Sequence, residues 1–333
     1  VFYKFYRTKI TKFLFKENIF LIHLLKLRIL QLIMFKVAWD KMYCHPLPEN
    51  HRFPMEKYNL LPQQLLFEGT ISSEQLIHPT IMQDEFILLC HDPLYLNKLN
   101  NLLLTPAEVR KTGFPMSKAL IEREKIIMQG TLEAALYALN DGVAFNIAGG
   151  THHAFSNKGE GFCLLNDMAI AASYLLKQKL ASKILIIDLD VHQGNGTAEI
   201  FSKNANVFTF SMHGKKNYPL HKELSDLDVE LEDGTNDYTY LNLLTQHLST
   251  IFFQVKPNFI FYQAGVDILQ NDKLGRLGVS IEGCKQRDKI VLQLCKENSI
   301  PVAVTMGGGY CERLITIIEA HANTFRLAKD IFI

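Results

Sequence analysis

The chain has 333 residues, 48% hydrophobic and 21% charged, with a formal net charge of +1, a composition that supports a large packed core. Residues 1–33 hold seven Lys/Arg against one acid, which leaves 28 basic and 33 acidic residues in the remainder, a net of −5. A mildly acidic body argues against direct nucleic-acid binding and suits a cationic substrate such as a lysine-bearing segment or a polyamine.

In chain order, residues 1–33 come first and differ from the rest. The apolar run 19–33 is interrupted by His23, Lys26, Arg28 and Gln31 and is too short for a transmembrane span, so none is expected. No small-residue cleavage site follows it, which argues against a signal peptide. It reads as a basic, apolar N-terminal appendage to a domain over 34–333, with a basic amphipathic surface helix as the alternative. From Met34 the pattern alternates. Strands are predicted over 35–39 and 86–90, then helices over 93–103 and 117–139 and a strand over 143–148. A helix over 166–179 with Asn166 as N-cap leads to a strand over 184–187 and another over 207–211. The chain ends with a helix over 236–255, a strand over 258–263, a helix over 281–298, a strand over 301–305 and a helix over 311–328. Such alternation implies a single α/β domain whose mostly parallel sheet is flanked by helices on both faces. Six scattered cysteines (Cys44, Cys90, Cys163, Cys284, Cys295, Cys311) form neither a disulfide framework nor a zinc ribbon and fit a reducing, cytoplasmic setting.

The stretch 183–197 organises the rest. Ile184 to Ile187 is a continuous apolar run, as in a strand buried on both faces of a parallel sheet. Asp188, Asp190 and His192 follow at two-residue spacing and point the same way while the backbone stays extended. Two carboxylates and an imidazole on a buried face need compensation, which a divalent cation supplies most simply. Taken alone, an Asp-x-Asp at a strand end also serves as a helix cap or loop hydrogen-bonder. Gly194 and Gly196 then turn the backbone before a helix near Thr197.

Three further strands end in similar turns: Gly149-Gly150-Thr151-His152-His153, Ala264-Gly265-Val266-Asp267 and Met306-Gly307-Gly308-Gly309-Tyr310. Each has an ordinary explanation by itself: a surface His pair, a capping Asp, a packed Tyr. The glycine run lacks the Lys-Ser/Thr of a phosphate loop and the spacing of a dinucleotide fingerprint. Ligands bind at the carboxyl ends of strands in open α/β sheets, so four such turns together read as one site.

These motifs resemble those of the histone deacetylase family of zinc amidohydrolases, with arginase-like α/β architecture, across residues 35–330. Gln193 after His192 is most similar to the class IV branch, and Asn195-Gly196-Thr197 to classes II and IV. Gly161-Phe162-Cys163 fits as well, and a class IV-like, bacterial-type enzyme is expected. The resemblance implies that Asp190, His192 and Asp267 bind Zn2+, with Fe2+ admitted by the same two-Asp, one-His donor set. It implies that His153 acts as general base and then acid, and that His152, oriented by Asp188, acts electrostatically. Tyr310 would stabilise the oxyanion, and Gly161 and Phe162 would line a tunnel for the acyl-lysine stem. Asn195 would partner His153 where class I enzymes carry Asp, leaving the imidazolium without a charged neighbour and its pKa lower. A structural K+ or Na+ would take main-chain oxygens of Asp188, Asp190, His192 and Met212 and the Ser211 hydroxyl. Arg52, in His51-Arg52-Phe53-Pro54, resembles a family arginine beneath the site, and nothing in 102–115 matches the family's rim aspartate.

The resemblance implies hydrolysis of Nε-acyl-lysine in proteins. An amidohydrolase for acetylated polyamines or another small acylated amine is the alternative within the same chemistry. A binuclear manganese ureohydrolase would need more Asp/His ligands than Gln193 and Asn195 provide. A non-catalytic acyl-lysine-binding module is the alternative of another class; His152, His153 and Tyr310 argue against it.

Overall fold

Apolar, β-branched runs form the strands of the computed structural model, which describes residues 35–333. The basic stretch expected to be an appendage lies outside the described residues. The strands are β1 (Val37–Ala38), β2 (Leu76–Ile77), β3 (Val143–Asn146), β4 (Ile184–Asp188), β5 (Val207–Gly214), β6 (Leu227–Leu231), β7 (Phe259–Gln263) and β8 (Val302–Thr305). They form one sheet in the order β2-β1-β3-β8-β7-β4-β5-β6, and every pairing is parallel. The helices that flank it are α1 (Lys57–Phe67), α2 (Asp84–Ile87), α3 (Pro93–Asn100), α4 (Pro106–Thr112), α5 (Lys118–Asp141), α6 (Asp167–Lys177), α7 (Asn195–Phe201), α8 (Asp237–Val255), α9 (Ile281–Glu297) and α10 (Leu314–Phe332).

The topology gathers the chemistry. β3, β8, β7 and β4 are adjacent, and every residue in them is buried. Because these strands run parallel, the four polar turns leave the sheet at the same edge. The α/β class and the parallel sheet are as the sequence implied. Helix caps follow the expected chemistry: the Asn166 side chain accepts from Ala169 N at 3.0 Å, and Ser117 Oγ from Leu120 N at 3.1 Å. Among the described residues, no helix is long and apolar enough to cross a membrane.

Residues 86–90 are a correction. The expected strand is instead the end of α2 and the turn after it. A five-residue apolar run has no period that separates strand from helix. Asp84 and Glu85 at the start of α2 favour the helix, with Ile87 buried and the Phe86 ring edge-on to Tyr174 at 5.3 Å. Sequence reasoning also missed α1, whose internal Pro62 reads as a breaker, and the short strand β6.

Candidate active site

β4 delivers Asp188 as its last residue, and the chain then carries Asp190 and His192 into the turn before α7. Asp267 comes from the turn after β7. One potential ligand atom from each of Asp190, His192 and Asp267 lies within 4.8 Å of the others, and all three residues are buried. His192 Nδ1 sits between the carboxylates, 3.0 Å from Asp190 Oδ1 and 3.1 Å from Asp267 Oδ2. Backbone and amide donors fix the carboxylates. Gly308 N and Gln263 Nε2 donate to Asp190 Oδ2 at 2.9 and 3.1 Å, and Val191 N donates to Asp267 Oδ1 at 2.9 Å. Gly308 is required here by close approach, since a Cβ would collide with both carboxylates.

The cluster demands positive charge. Burial and the neighbouring Asp190 carboxylate push Asp267 up to about 7. Burial works against a charge on His192, yet the two carboxylates hold it up at about 10. One nitrogen and two carboxylate donors, buried and converging, fit a divalent cation.

The turn after β3 supplies the histidine pair. Asp167, at the start of α6, fixes that turn by accepting from Gly150 N, Thr151 N and the Thr131 hydroxyl at 3.0, 2.8 and 2.7 Å. His152 Nδ1 lies 2.6 Å from Asp188 Oδ2, and His153 Nδ1 lies 2.7 Å from Asn195 Oδ1. The Asn195 amide is itself oriented, because its Nδ2 donates to Glu160 Oε1 at 2.7 Å. Its oxygen must therefore face His153, so His153 Nδ1 carries the hydrogen and Nε2 keeps its lone pair. Burial lowers the His153 pKa well below the usual histidine value, and the neighbouring His152 and His192 lower it further. Burial also opposes charge on His152, but Asp188 and Asp190 overcome it and raise it to about 9.

Tyr310 follows the glycine turn of β8, its ring centroid 6.4 Å from that of His192. Asp272 holds its backbone, accepting from Tyr310 N at 2.6 Å. Burial, then Asp267 and Asp190, raise the phenol far above its ordinary value, so it remains a hydrogen-bond donor. Gly161 and Phe162 both have left-handed backbone, with φ of +57° and +67°. For Phe162 that conformation costs about 1–3 kcal/mol. Their amides offset it by donating to Lys111 O and Thr112 O at 3.0 and 2.9 Å. Phe162 and Tyr310, with ring centroids 6.1 Å apart, wall a cleft of about 500 Å³ that reaches His153 and His192.

One placement differs from expectation. Arg52 does not lie beneath the cluster; it is exposed at the mouth of the cleft, its guanidinium 5.2 Å from the Phe162 ring centroid. Lys57 is buried near the site instead, its Nζ donating to Gly307 O at 2.8 Å, as is Arg287, whose Nη1 donates to Leu189 O at 3.2 Å. Burial pulls Lys57 down to about 8 against the pull of Asp267 and Asp190. Ser211 pairs with Asp188 across β4 and β5, and its hydroxyl lies 2.9 Å from His213 Nδ1. Sequence reasoning missed Glu160, Asp167, Gln263, Asp272 and Lys57. Only Glu160, a charge between two glycines just before Phe162, carried a visible signal.

Comparison with known proteins gives the family and the fold. The family described as "Histone deacetylase domain" matches residues 51–325. An uncharacterized protein of Picosynechococcus sp. is 43% identical over 90% of this chain and 99% of its own length. Histone deacetylase 2 of Arabidopsis thaliana is 28% identical over 80% of this chain and 72% of its own. The crystal structure of an HDAC homolog from Aquifex aeolicus superposes with a TM-score of 0.76 at 26% identity, covering 88% of this chain and 84% of that one. Fold and site together define an α/β protein of the metal-dependent deacetylase type. The chain belongs to the histone deacetylase domain family.

Proposed function

We propose that the protein hydrolyses the amide of Nε-acyl-lysine, and that Asp190, His192 and Asp267 hold the metal that the reaction needs. The observation that supports this is the meeting, in one cleft, of that cluster with a neutral His153 and the Tyr310 hydroxyl. Bound Zn2+, or Fe2+, would polarise the amide carbonyl and activate water for attack. His153 accepts the proton at Nε2 and then returns it to the leaving amine, a role for which a bare Nε2 and a fixed tautomer suit it. His152, kept cationic by Asp188, offers positive charge toward the negative charge that develops on the attacked carbonyl. Tyr310 donates to the same oxyanion. Gly161 and Phe162 form the wall against which the lysine methylenes pack. A structural K+ or Na+ held by Asp188, Asp190, His192 and Met212 main-chain oxygens with the Ser211 hydroxyl would brace the turn; the pairing of Ser211 beside Asp188 supports it.

A cavity of about 40 Å³ lies beyond the cleft, bounded by Gly150, Gly308, Cys163 and Tyr310. Asp190, His192 and His153 line it too, so it is the space in which the metal and the scissile amide would meet. The test is amine release by metal-loaded protein from acetyl-lysine and long-chain acyl-lysine peptides, each with and without chelator. Chelator-sensitive release is expected; binding without release would leave a binding module in its place.

A further inference from the structure

The cleft mouth is basic on a body that is not. Residues 34–333 carry five more acids than bases, yet four cations from four different segments border this one opening: Arg52, Lys111, Lys216 and Arg276. All four are exposed. Their positions follow from the walls of the cleft. The carbonyl of Lys111 receives the Gly161 amide, so the C-terminal turn of α4 is tied to the left-handed segment beside Phe162. Arg52 lies over the Phe162 ring. Asn217 Nδ2 donates to Leu274 O at 2.7 Å, which ties the segments bearing Lys216 and Arg276 together.

The acids nearby do not neutralise this rim. Lys216 Nζ and Arg276 Nη1 share one oxygen of Asp233, at 3.7 and 3.4 Å, so that trio retains one positive charge. Neither Arg52 nor Lys111 has a carboxylate partner among the described residues. Among the described residues, Glu160 is the one acid lining the cleft. Its Oε1 takes the Asn195 amide, and its Oε2 lies 3.7 Å from Lys158 Nζ, so it is engaged on both oxygens. A cationic substrate would meet three uncompensated positive charges and no free carboxylate.

Building on the deacylase reading above, we infer that the substrate is an acylated amine whose carrier presents a carboxylate at the cleft mouth. An acyl-lysine flanked by Asp or Glu meets this description, as does a small ω-acylamino acid. The expectation from the acidic body, a cationic substrate, is reversed at the site itself, because local charge rather than net charge meets the ligand. Exposed contacts of this kind are individually weak but additive in one direction.

The experiment measures kcat/KM of the metal-loaded protein at low and high salt. Acetyl-lysine peptides with acidic, neutral and basic flanks form one arm; N-acetyl-6-aminohexanoate and N-acetylcadaverine, which differ in their terminal charge, form the other. About a tenfold preference for the acidic member of either arm over its basic counterpart is expected at low salt, shrinking at high salt. The arm that turns over faster identifies peptide or small molecule. Lys216→Glu with Arg276→Glu, and separately Lys111→Glu, should reduce or invert the preference. Turnover of the neutral peptide with no charge preference, or with a preference for the basic members, overturns the inference alone. No chelator-sensitive turnover of any substrate means that the deacylase reading has failed and takes the inference with it.

Discussion

His152 and His153 are adjacent in the chain, their rings tilted at 45° with centroids 4.1 Å apart and both buried, yet their protonation runs in opposite directions. His152 sits at about 9 and His153 well below the ordinary histidine value. Burial acts the same way on both, so it cannot be the cause of the difference. The partner is. His152 points Nδ1 at a carboxylate, Asp188, with Asp190 behind it; His153 points Nδ1 at the neutral amide of Asn195, and the nearest charges to it are positive. One chain of two residues thus supplies a fixed cation and a neutral base, and the division is set by which residue type ends each hydrogen bond.

The largest effect is expected at the base itself. His153→Ala should lower kcat by about 10²–10⁴-fold while metal content, measured by elemental analysis, stays unchanged. A larger loss in His152→Ala than in His153→Ala would exchange the two roles. Tyr310→Phe comes next, with an expected loss of about 10²–10³-fold in kcat and retained binding of acetyl-lysine peptide by calorimetry. The partners sharpen the contrast with smaller effects. Asn195→Asp places a carboxylate on His153, which raises its pKa. The base then remains protonated to higher pH, so the acidic limb of the kcat/KM profile moves upward. An unmoved limb would remove Asn195 as the partner. Glu160→Gln leaves a polar group near Asn195 but no longer forces the amide orientation. A loss of about 2- to 10-fold in kcat is expected, with the acidic limb displaced downward as a negative charge leaves the neighbourhood.

The metal cluster, both histidines and Tyr310 were legible because each follows an apolar run at a strand's carboxyl end, and a parallel sheet brings such ends together. The pair partners, Asp188 and Asn195, came from the resemblance to the deacetylase family and not from spacing. What the chain hides is set by loops. The third member of the His153 relay, Glu160, depends on the left-handed backbone at Gly161 and Phe162, which no periodicity announces. Asp272 and Asp167 act through backbone amides, so their identity alone reveals nothing of what they hold. Arg52 and Lys57 lie five residues apart on either side of a turn. Which of them is buried depends on the packing of α1, whose Pro62 concealed it. The run 86–90 shows the same limit, for it has the composition of a strand and the environment of a helical turn.

Nitrogen-15 NMR of the histidine side chains in the metal-loaded protein, titrated through the neutral range and assigned with His153→Ala, tests the division of the pair most directly. His152, held by the Asp188 carboxylate, is expected to keep its second proton to higher pH than His153, with His153 neutral, hydrogen on Nδ1 and Nε2 bare, at neutral pH. A neutral His152 beside a His153 that protonates in the ordinary range, or that carries its hydrogen on Nε2, would contradict this division.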